Sequence, residues 1–186
     1  MEPSDEALCE RVAKRDEAAF DLLVSRYQER AYRLAWSILR NNEDARDVSQ
    51  EAFIRLYEAA GSFGGRSKFS TWFYRILVNL CLDHKRKNRW WKLWARDDDD
   101  EREPILERQP APVTDPVDKL SDERAMKDLG AAVDRLAPRQ RAAVLLRVQE
   151  DMATYDIAQV LKCSEATVRV HLHRALATLK KTMEKR

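Results

Sequence analysis

The sequence predicts an all-α protein of two small helical domains joined by an acidic, proline-rich linker. Three observations carry this. Apolar residues recur at spacings of three and four along most of the chain, as one buried helical face requires. The segment from Asp97 to Asp118 breaks the pattern, with four of the six prolines, nine acids and two bases. Proline denies it helix, and charge denies it a core. Near the C-terminus, two apolar-periodic runs flank a tight turn, the pattern of a helix-turn-helix. The expected domains are residues 1–95 and 119–186, with 96–118 as linker; a chain of 186 residues has room for one domain or two small ones.

Composition bounds the function. Charged residues are 35% and aromatics 8%, which suits a soluble protein able to build cores. The net charge of +2 conceals an asymmetry: the linker is net −7 and the remainder about +9. Charge interrupts every hydrophobic run, so no transmembrane helix is expected. Glu2, Asp5, Glu6 and Glu10 argue against a signal peptide at the start. Cys9, Cys81 and Cys163 are scattered singly, which points to a reducing cytoplasm.

The first helix is expected over residues 4–15. Asp16 can cap a second, reaching about Arg40, with Phe20, Leu23, Tyr27, Ala31, Leu34 and Ile38 inward. Asn41-Asn42 breaks it. A third, Glu43 to Ala60, buries Ala45, Val48, Ala52, Leu56 and Ala60 and shows Asp44, Asp47, Gln50, Glu51 and Arg55 on its opposite surface. Gly61, Gly64 and Gly65 share the loop GSFGGRSK; three of the four glycines in one loop imply unusual backbone angles or close approach to something.

The longest helix is expected from Phe69 to Trp91, FSTWFYRILVNLCLDHKRKNRWW. Ser70 can cap its start. Phe69, Phe73, Ile76, Leu77, Leu80 and Cys81 make its buried stripe. Trp72, Tyr74, Asn79 and Asp83 lie partly off that stripe. Lys85, Arg86, Lys87, Arg89, Lys92 and Arg96 follow with no acid among them. One reading is a core helix with a solvated basic end. The other is a single-stranded nucleic-acid site, where cations follow phosphates and rings stack on extruded bases. The linker beyond reads as a spacer, or as an acidic strand that imitates nucleic acid in a basic channel.

After Asp118, Leu120, Met126, Leu129, Val133 and Leu136 make another stripe. Pro138 suits the first turn of a helix carrying Ala142, Leu145 and Val148. Ile157, Ala158 and Leu161 mark the first helix of the helix-turn-helix, and small Ala158 lets its two helices cross closely. Lys162-Cys163 form the turn, with Lys162 where glycine is favoured. Ser164 caps the second helix, which keeps Val168, Leu172, Ala175, Leu176 and Leu179 inside. Glu165, Thr167, Arg169, Val170, His173 and Arg174 face outward, and Lys180, Lys181, Lys185 and Arg186 follow. Such a helix can set its N-terminal half in a major groove, where arginine pairs with guanine. A purely structural helical hairpin is the plainer alternative.

Three stretches, DARDVSQEAFIRLYEA, FSTWFYRILVNLCLDHKRK and LAPRQRAAVLLRVQEDMATYDIAQVLKCSEATVRVHLHRALATL, resemble in order and spacing the extracytoplasmic-function group of bacterial sigma factors. The resemblance spans nearly the whole chain outside the linker. It implies two helical domains, known in that family as regions 2 and 4, that bind core RNA polymerase and direct it to promoter DNA. It implies that Asp44, Asp47, Gln50, Glu51 and Arg55 lie on the helix docking against the polymerase clamp. It implies that Gly64, Gly65, Lys68, Trp72, Asn79 and Asp83 meet the opened minus-ten element, with Lys85, Arg86 and Lys87 on its backbone. Glu165, Thr167, Arg169, Val170, His173 and Arg174 match the positions that read the minus-thirty-five duplex. Asp156 stands where Glu is more usual, and Val170 and His173 are atypical, so no promoter sequence transfers. The resemblance further implies an alternative sigma factor serving a stress or metal-resistance operon. Its expected partners include an anti-sigma factor, often anchored in the inner membrane, and no small-molecule substrate or cofactor.

Two other classes compete. A stand-alone helix-turn-helix regulator with an N-terminal sensory domain would bind duplex DNA without polymerase. An enzyme or metalloprotein finds little support: the histidines are His84, His171 and His173, and the last two point to opposite sides of one helix. No cysteine pair, glycine-rich phosphate loop before a helix, or nucleophile–base set is present in the sequence.

Overall fold

The computed structural model describes residues 2–94 and 130–183. The linker, Leu120, Met126, Leu129, Arg96, Lys185, Arg186 and the side chains of Arg89 and Lys92 lie outside the described residues.

The N-terminal unit comprises α1 (Asp5–Ala13), α2 (Glu17–Leu39), α3 (Asn42–Ala59), a 3-10 turn (Ala60–Ser62) and α4 (Phe69–Trp94). The C-terminal unit comprises α5 (described over residues 130–134), α6 (Pro138–Gln149), α7 (Thr154–Leu161) and α8 (Glu165–Met183). Local chemistry sets the boundaries. Ser4 Oγ accepts from the Ala7 N–H, Asp16 Oδ1 from Ala19, and Asn41 Oδ1 from Glu43 and Asp44. Each satisfies donors that a helix start leaves free. Between these caps, Arg15 and Arg40 take left-handed backbone, with φ of 66° and 60°, and turn the chain sharply. Pro138 opens α6 as the sequence predicts.

The start of α4 differs from expectation. Ser70 lies inside the first turn and does not cap it. The Phe69 N–H donates instead to Glu6 Oε1, 2.9 Å away on α1, so a carboxylate from another helix takes the capping role beside the positive helix end. This contact closes the bundle over an aromatic cluster. The Tyr27 ring meets Phe69 and Phe73 edge-on at 5.3 and 5.4 Å, and Phe69 stacks on Phe73. The Tyr27 hydroxyl donates to Asp5 Oδ2 at 2.5 Å, tying α1 to α2. Burial, then that hydrogen bond, holds the phenol protonated well above its ordinary range.

Several inward assignments shift. Tyr74 is buried, not displayed off the stripe, while Ile76 and Leu80 are half-buried. Val148 is 74% exposed and Leu176 64% exposed. The inward face of α6 centres on Ala142 and Leu146; Val148, two residues past Leu146, is turned some 200° from it. In α8, Val168 and Ala175 hold the core, which leaves Leu176 a step round the helix. Of the loop glycines, only Gly65 has positive φ, at 65°, and neither it nor Gly61 is approached closely.

The two units share one continuous core. α7 packs on α4 and α6 on α2, and the buried apolar cluster runs from Leu8 through Leu77 to Val168.

Candidate polymerase and promoter interfaces

The outer face of α3 is the first candidate surface. Asp47, Gln50 and Arg55 are exposed there; Glu51 is less so and accepts from Arg55 Nε at 2.8 Å, one turn on. Asp44 departs from this group. It is half-buried, with Oδ2 3.1 Å from His84 Nε2 on α4, a contact without hydrogen-bond alignment. Sequence reasoning missed Ile54, 47% exposed beside Gln50, Glu51 and Asp47 on the same face. Its signal was legible: a large apolar residue amid polar positions of an amphipathic helix. An apolar side chain ringed by carboxylates and an amide suits a protein partner more than solvent alone.

The second surface is a cleft of about 740 Å³ between α3, α4 and the helix-turn-helix turn. Trp72, Arg75, Ile76, Asn79, Leu80 and Asp83 line it from α4, Arg55, Glu58 and Ala59 from α3, and Lys162 closes its edge. Trp72 and Asn79 thus line one cleft. Trp72 is half-buried, its ring 5.3 Å from Phe63. Phe63 belongs to the glycine loop, and the loop therefore supports the tryptophan. Gly64 and Gly65 themselves do not line the cleft, and Lys68 is exposed at the loop's end.

The basic end of α4 divides. Arg86 and Lys87 are exposed, and Arg86 lies 3.2 Å from Asp83. Lys85 is half-buried against the C-terminal unit. Burial, reinforced by Arg141 and Arg40 and opposed by Asp134, pulls its ammonium down to about 8. In this arrangement Lys85 serves the seam between the units and not an outer surface, a departure from the backbone-binding expectation. Tyr74 likewise faces the seam, so it is unavailable to stack on a base.

The third surface is α8. Lys162 adopts φ 51° and ψ 53°, so the position where such turns favour glycine is left-handed, as the sequence pattern requires. Ser164 Oγ accepts from the Thr167 N–H at 3.1 Å, capping α8. The Thr167 hydroxyl lies 2.9 Å from the Ser164 hydroxyl, which places Thr167 partly in the cap. Arg169, Val170, His173 and Arg174 are exposed together; Glu165 is half-buried, and its carboxylate lies 3.4 Å from Arg169. His171, between them, is half-buried, and desolvation with Arg139 and Arg174 nearby lowers its imidazolium's stability. Two exposed guanidiniums five residues apart in the N-terminal half of α8 are suited to base edges in a major groove. Among the described residues, no group of three histidine, cysteine or carboxylate side chains could hold a metal, and no helix is long and apolar enough to cross a membrane.

Comparison with known proteins identifies the family. Residues 23–91 match the family model of Sigma-70 region 2, and residues 126–179 that of Sigma-70 region 4. The RNA polymerase sigma-H factor of Pseudomonas aeruginosa is 32% identical, over 97% of this chain and 94% of its own. The ECF RNA polymerase sigma factor SigE of Mycolicibacterium smegmatis is 34% identical, over 100% and 71%, and SigW of Bacillus subtilis 30%, over 93% of each. In fold, the chain is similar to CnrH in complex with the cytosolic domain of CnrY, with a TM-score of 0.70 at 20% identity over 98% of this chain and 99% of that one. Sigma factors direct transcription initiation and are not enzymes. With a region 2 domain carrying the cleft and a region 4 domain carrying the helix-turn-helix, the chain belongs to the extracytoplasmic-function sigma factors of the sigma-70 family.

Proposed function

We propose that this chain binds core RNA polymerase through α3 and directs it to a two-part promoter. The observation that carries this is the cleft. It sets Asn79 beside Trp72 and next to the α3 face, so melted DNA and polymerase would meet one small domain. Asn79 has both a donor and an acceptor, as a base edge requires, and that edge is fully exposed only when the base leaves the stack. Trp72 and Asp83 complete the pocket, while Lys68, Arg86 and Lys87 follow the strand. Lys85 joins them only after the two units separate. Gly64 and Gly65 act at one remove, through Phe63. Asp47, Gln50, Glu51, Arg55 and the additional Ile54 form the polymerase contact. Arg169, Val170, His173 and Arg174 read the upstream duplex, with Glu165 and Thr167 orienting the helix.

The anti-sigma partner rests on fold likeness. A structure of the sigma factor RpoE with the anti-sigma factor NepR from Bartonella quintana matches with a TM-score of 0.69 at 21% identity. We assign the chain to the cytoplasm, with its inhibitor anchored in the inner membrane, and a stress or metal-resistance operon as its target, following the family resemblance of its motifs. The test is run-off transcription from genomic fragments with purified core polymerase. Initiation at discrete sites, lost without this chain, is expected. Duplex binding by the chain alone with no transcription would overturn the reading in favour of a stand-alone regulator.

A further inference from the structure

We propose that His171 couples recognition of the upstream duplex to proton uptake, its imidazole gaining a proton when a DNA phosphate docks beside it. This rests on the reading of α8 as the duplex-binding helix and adds a residue which that reading does not use.

His171 stands where α8 turns from core to outer surface. Val168, three residues before it, and Ala175, four after, are fully buried. Arg174, three residues after it, is exposed among the candidate base readers. Residues three and four apart share one side of a helix, so the ring is divided between the two environments and is half-buried. Nδ1 is enclosed without a hydrogen-bond partner. Nε2 has no partner among the described residues and is not enclosed. A ring that served only the fold would pair its inner nitrogen, as enclosed polar atoms nearly always do. Here the nitrogen still open to a partner is the outer one.

The charges that bear on the ring are positive. Arg139 comes from the first turn of α6, the helix packed on α8, and its Nη1 donates to the Leu161 carbonyl at 3.4 Å. Arg174 comes from α8 itself. The start of α6, at Ala137 and Pro138, has no side-chain cap, so no local carboxylate offsets its positive end. The acids of the neighbouring elements are engaged elsewhere. Glu165 lies 3.4 Å from Arg169, and Asp156 of α7 accepts from Thr71. Lys162, in the turn after α7, lines the cleft. Burial, then Arg139 and Arg174, hold the imidazolium below its ordinary range in the free chain.

A duplex on α8 supplies the missing anion. Arg139 and Arg174 attract phosphates, and an opposite charge within about 4–6 Å favours the charged form of a neighbouring group by roughly tenfold or more. The ring then takes one proton from solvent, and Nε2–H donates to the phosphate. The bound ring holds its proton more firmly than the free one. Affinity is therefore flat at high pH and rises as pH falls through the bound ring's value. It is flat again below the free ring's value, which lies under 6.5.

The test measures binding of the reconstituted holoenzyme to the upstream duplex of a fragment mapped by run-off transcription, at pH 8 and pH 6. Over that interval the wild type should tighten at least about threefold more than His171→Gln, a gain that a difference of one pKa in the ring allows. His173→Gln, on the exposed face nearby, should keep the wild-type slope, and His171→Arg, a fixed cation, should lose it. A second measurement needs no variant and stands even if His171→Gln misfolds. The His171 ring-proton NMR signal of the full chain should titrate at higher pH with a mixed-sequence DNA duplex at low salt than without it. Equal slopes for wild type and His171→Gln, or an imidazole titration unmoved by duplex, would overturn the proton linkage and leave α8 as a duplex reader. Loss of the slope in His173→Gln with its retention in His171→Gln would overturn it too, by giving the proton to the other ring. Absence of duplex binding at both pH values would overturn the duplex reading and the linkage together.

Discussion

Replacing Arg141 by Met should destabilise the protein by about 2–4 kcal/mol. The Arg141 side chain is 4% exposed, and its guanidinium donates to the carbonyls of Val133, Ile38 and Asp134 at 3.0, 3.1 and 2.5 Å. Burial, more than the neighbouring Arg40 charge, makes the cation less favourable than in water, and Asp134 opposes that. Hydrogen bonds to a charged group contribute about 1.5–3 kcal/mol each, and a buried acceptor stripped of its donor costs about 1–3 kcal/mol. Only the Ile38 bond is fully buried; water can reach the other two carbonyls once the guanidinium leaves. Met refills the space of the stem and removes a desolvated charge, which offsets part of the loss. In urea unfolding followed by circular dichroism, a slope of about 2–3 kcal/mol/M puts the expected fall in midpoint near 1 M. Arg141→Lys should recover little, since one ammonium cannot reproduce a fork spread over three carbonyls. A midpoint within about 0.2 M of wild type for Arg141→Met would refute the claim that this residue joins the two units.

The remaining predictions concern function and pH. Charge reversal of Asp47 and Glu51 together should abolish retention on immobilised core polymerase while shifting stability by no more than about 0.5 kcal/mol, as expected for surface changes; undiminished retention would remove α3 from the contact. Asn79→Ala should leave the upstream footprint of the holoenzyme intact and reduce permanganate reactivity of unpaired thymines; lost footprint with full melting would reverse the roles of the two domains. Lys85 sets a pH dependence, because its ammonium is pulled to about 8 in the folded chain against an ordinary 10.5. The folded chain therefore carries a penalty below pH 8 that fades as pH rises toward 10.5. Stability should gain from pH 7 to 9 in the wild type relative to Lys85→Met, and parallel curves for the two would contradict the burial of this lysine.

How much of this was legible in the sequence follows from the range of the interactions. The helices were legible because caps and periodicity act within a few residues: Ser4, Asp16, Asn41, Pro138 and Ser164 all sit where a local rule puts them. Ser70 failed by the same logic, since its rival Glu6 is 63 residues away. Tyr74 reads in sequence as an aromatic off the main stripe, which fits either a base platform or a second packing face. Its hydroxyl partner is 76 residues distant, and nothing near Tyr74 announces it. Nothing local marks out Arg141, inside α6, or Glu150, at its C-terminal cap. Their partners Ile38 and Arg30 lie 103 and 120 residues back, across the linker. The candidate promoter residues divide in the same way. Arg169 and Arg174 follow from helical phase, whereas the inward turn of Lys85 depends on a domain arrangement that no local pattern encodes.

The chemistry of that arrangement bears on how it would come apart. Region 4 offers the seam Asp134, Arg141, Glu150 and Asp156, and region 2 answers with Arg40, the Ile38 carbonyl, Arg30 with Tyr74, and Thr71. An all-apolar seam would expose only hydrocarbon on opening, at roughly 25 cal/mol per Å² with nothing returned. Charged groups instead regain the hydration they gave up, and replacing a buried ion pair by apolar residues is often neutral or stabilising. A polar seam over an apolar floor therefore separates at lower cost than its burial suggests, while its directional bonds still fix one docking register. Tyr74, Val78 and Thr71 set the floor; Glu150 and Arg141 set the register. A seam of that composition fixes how the two units dock without making their separation prohibitively costly.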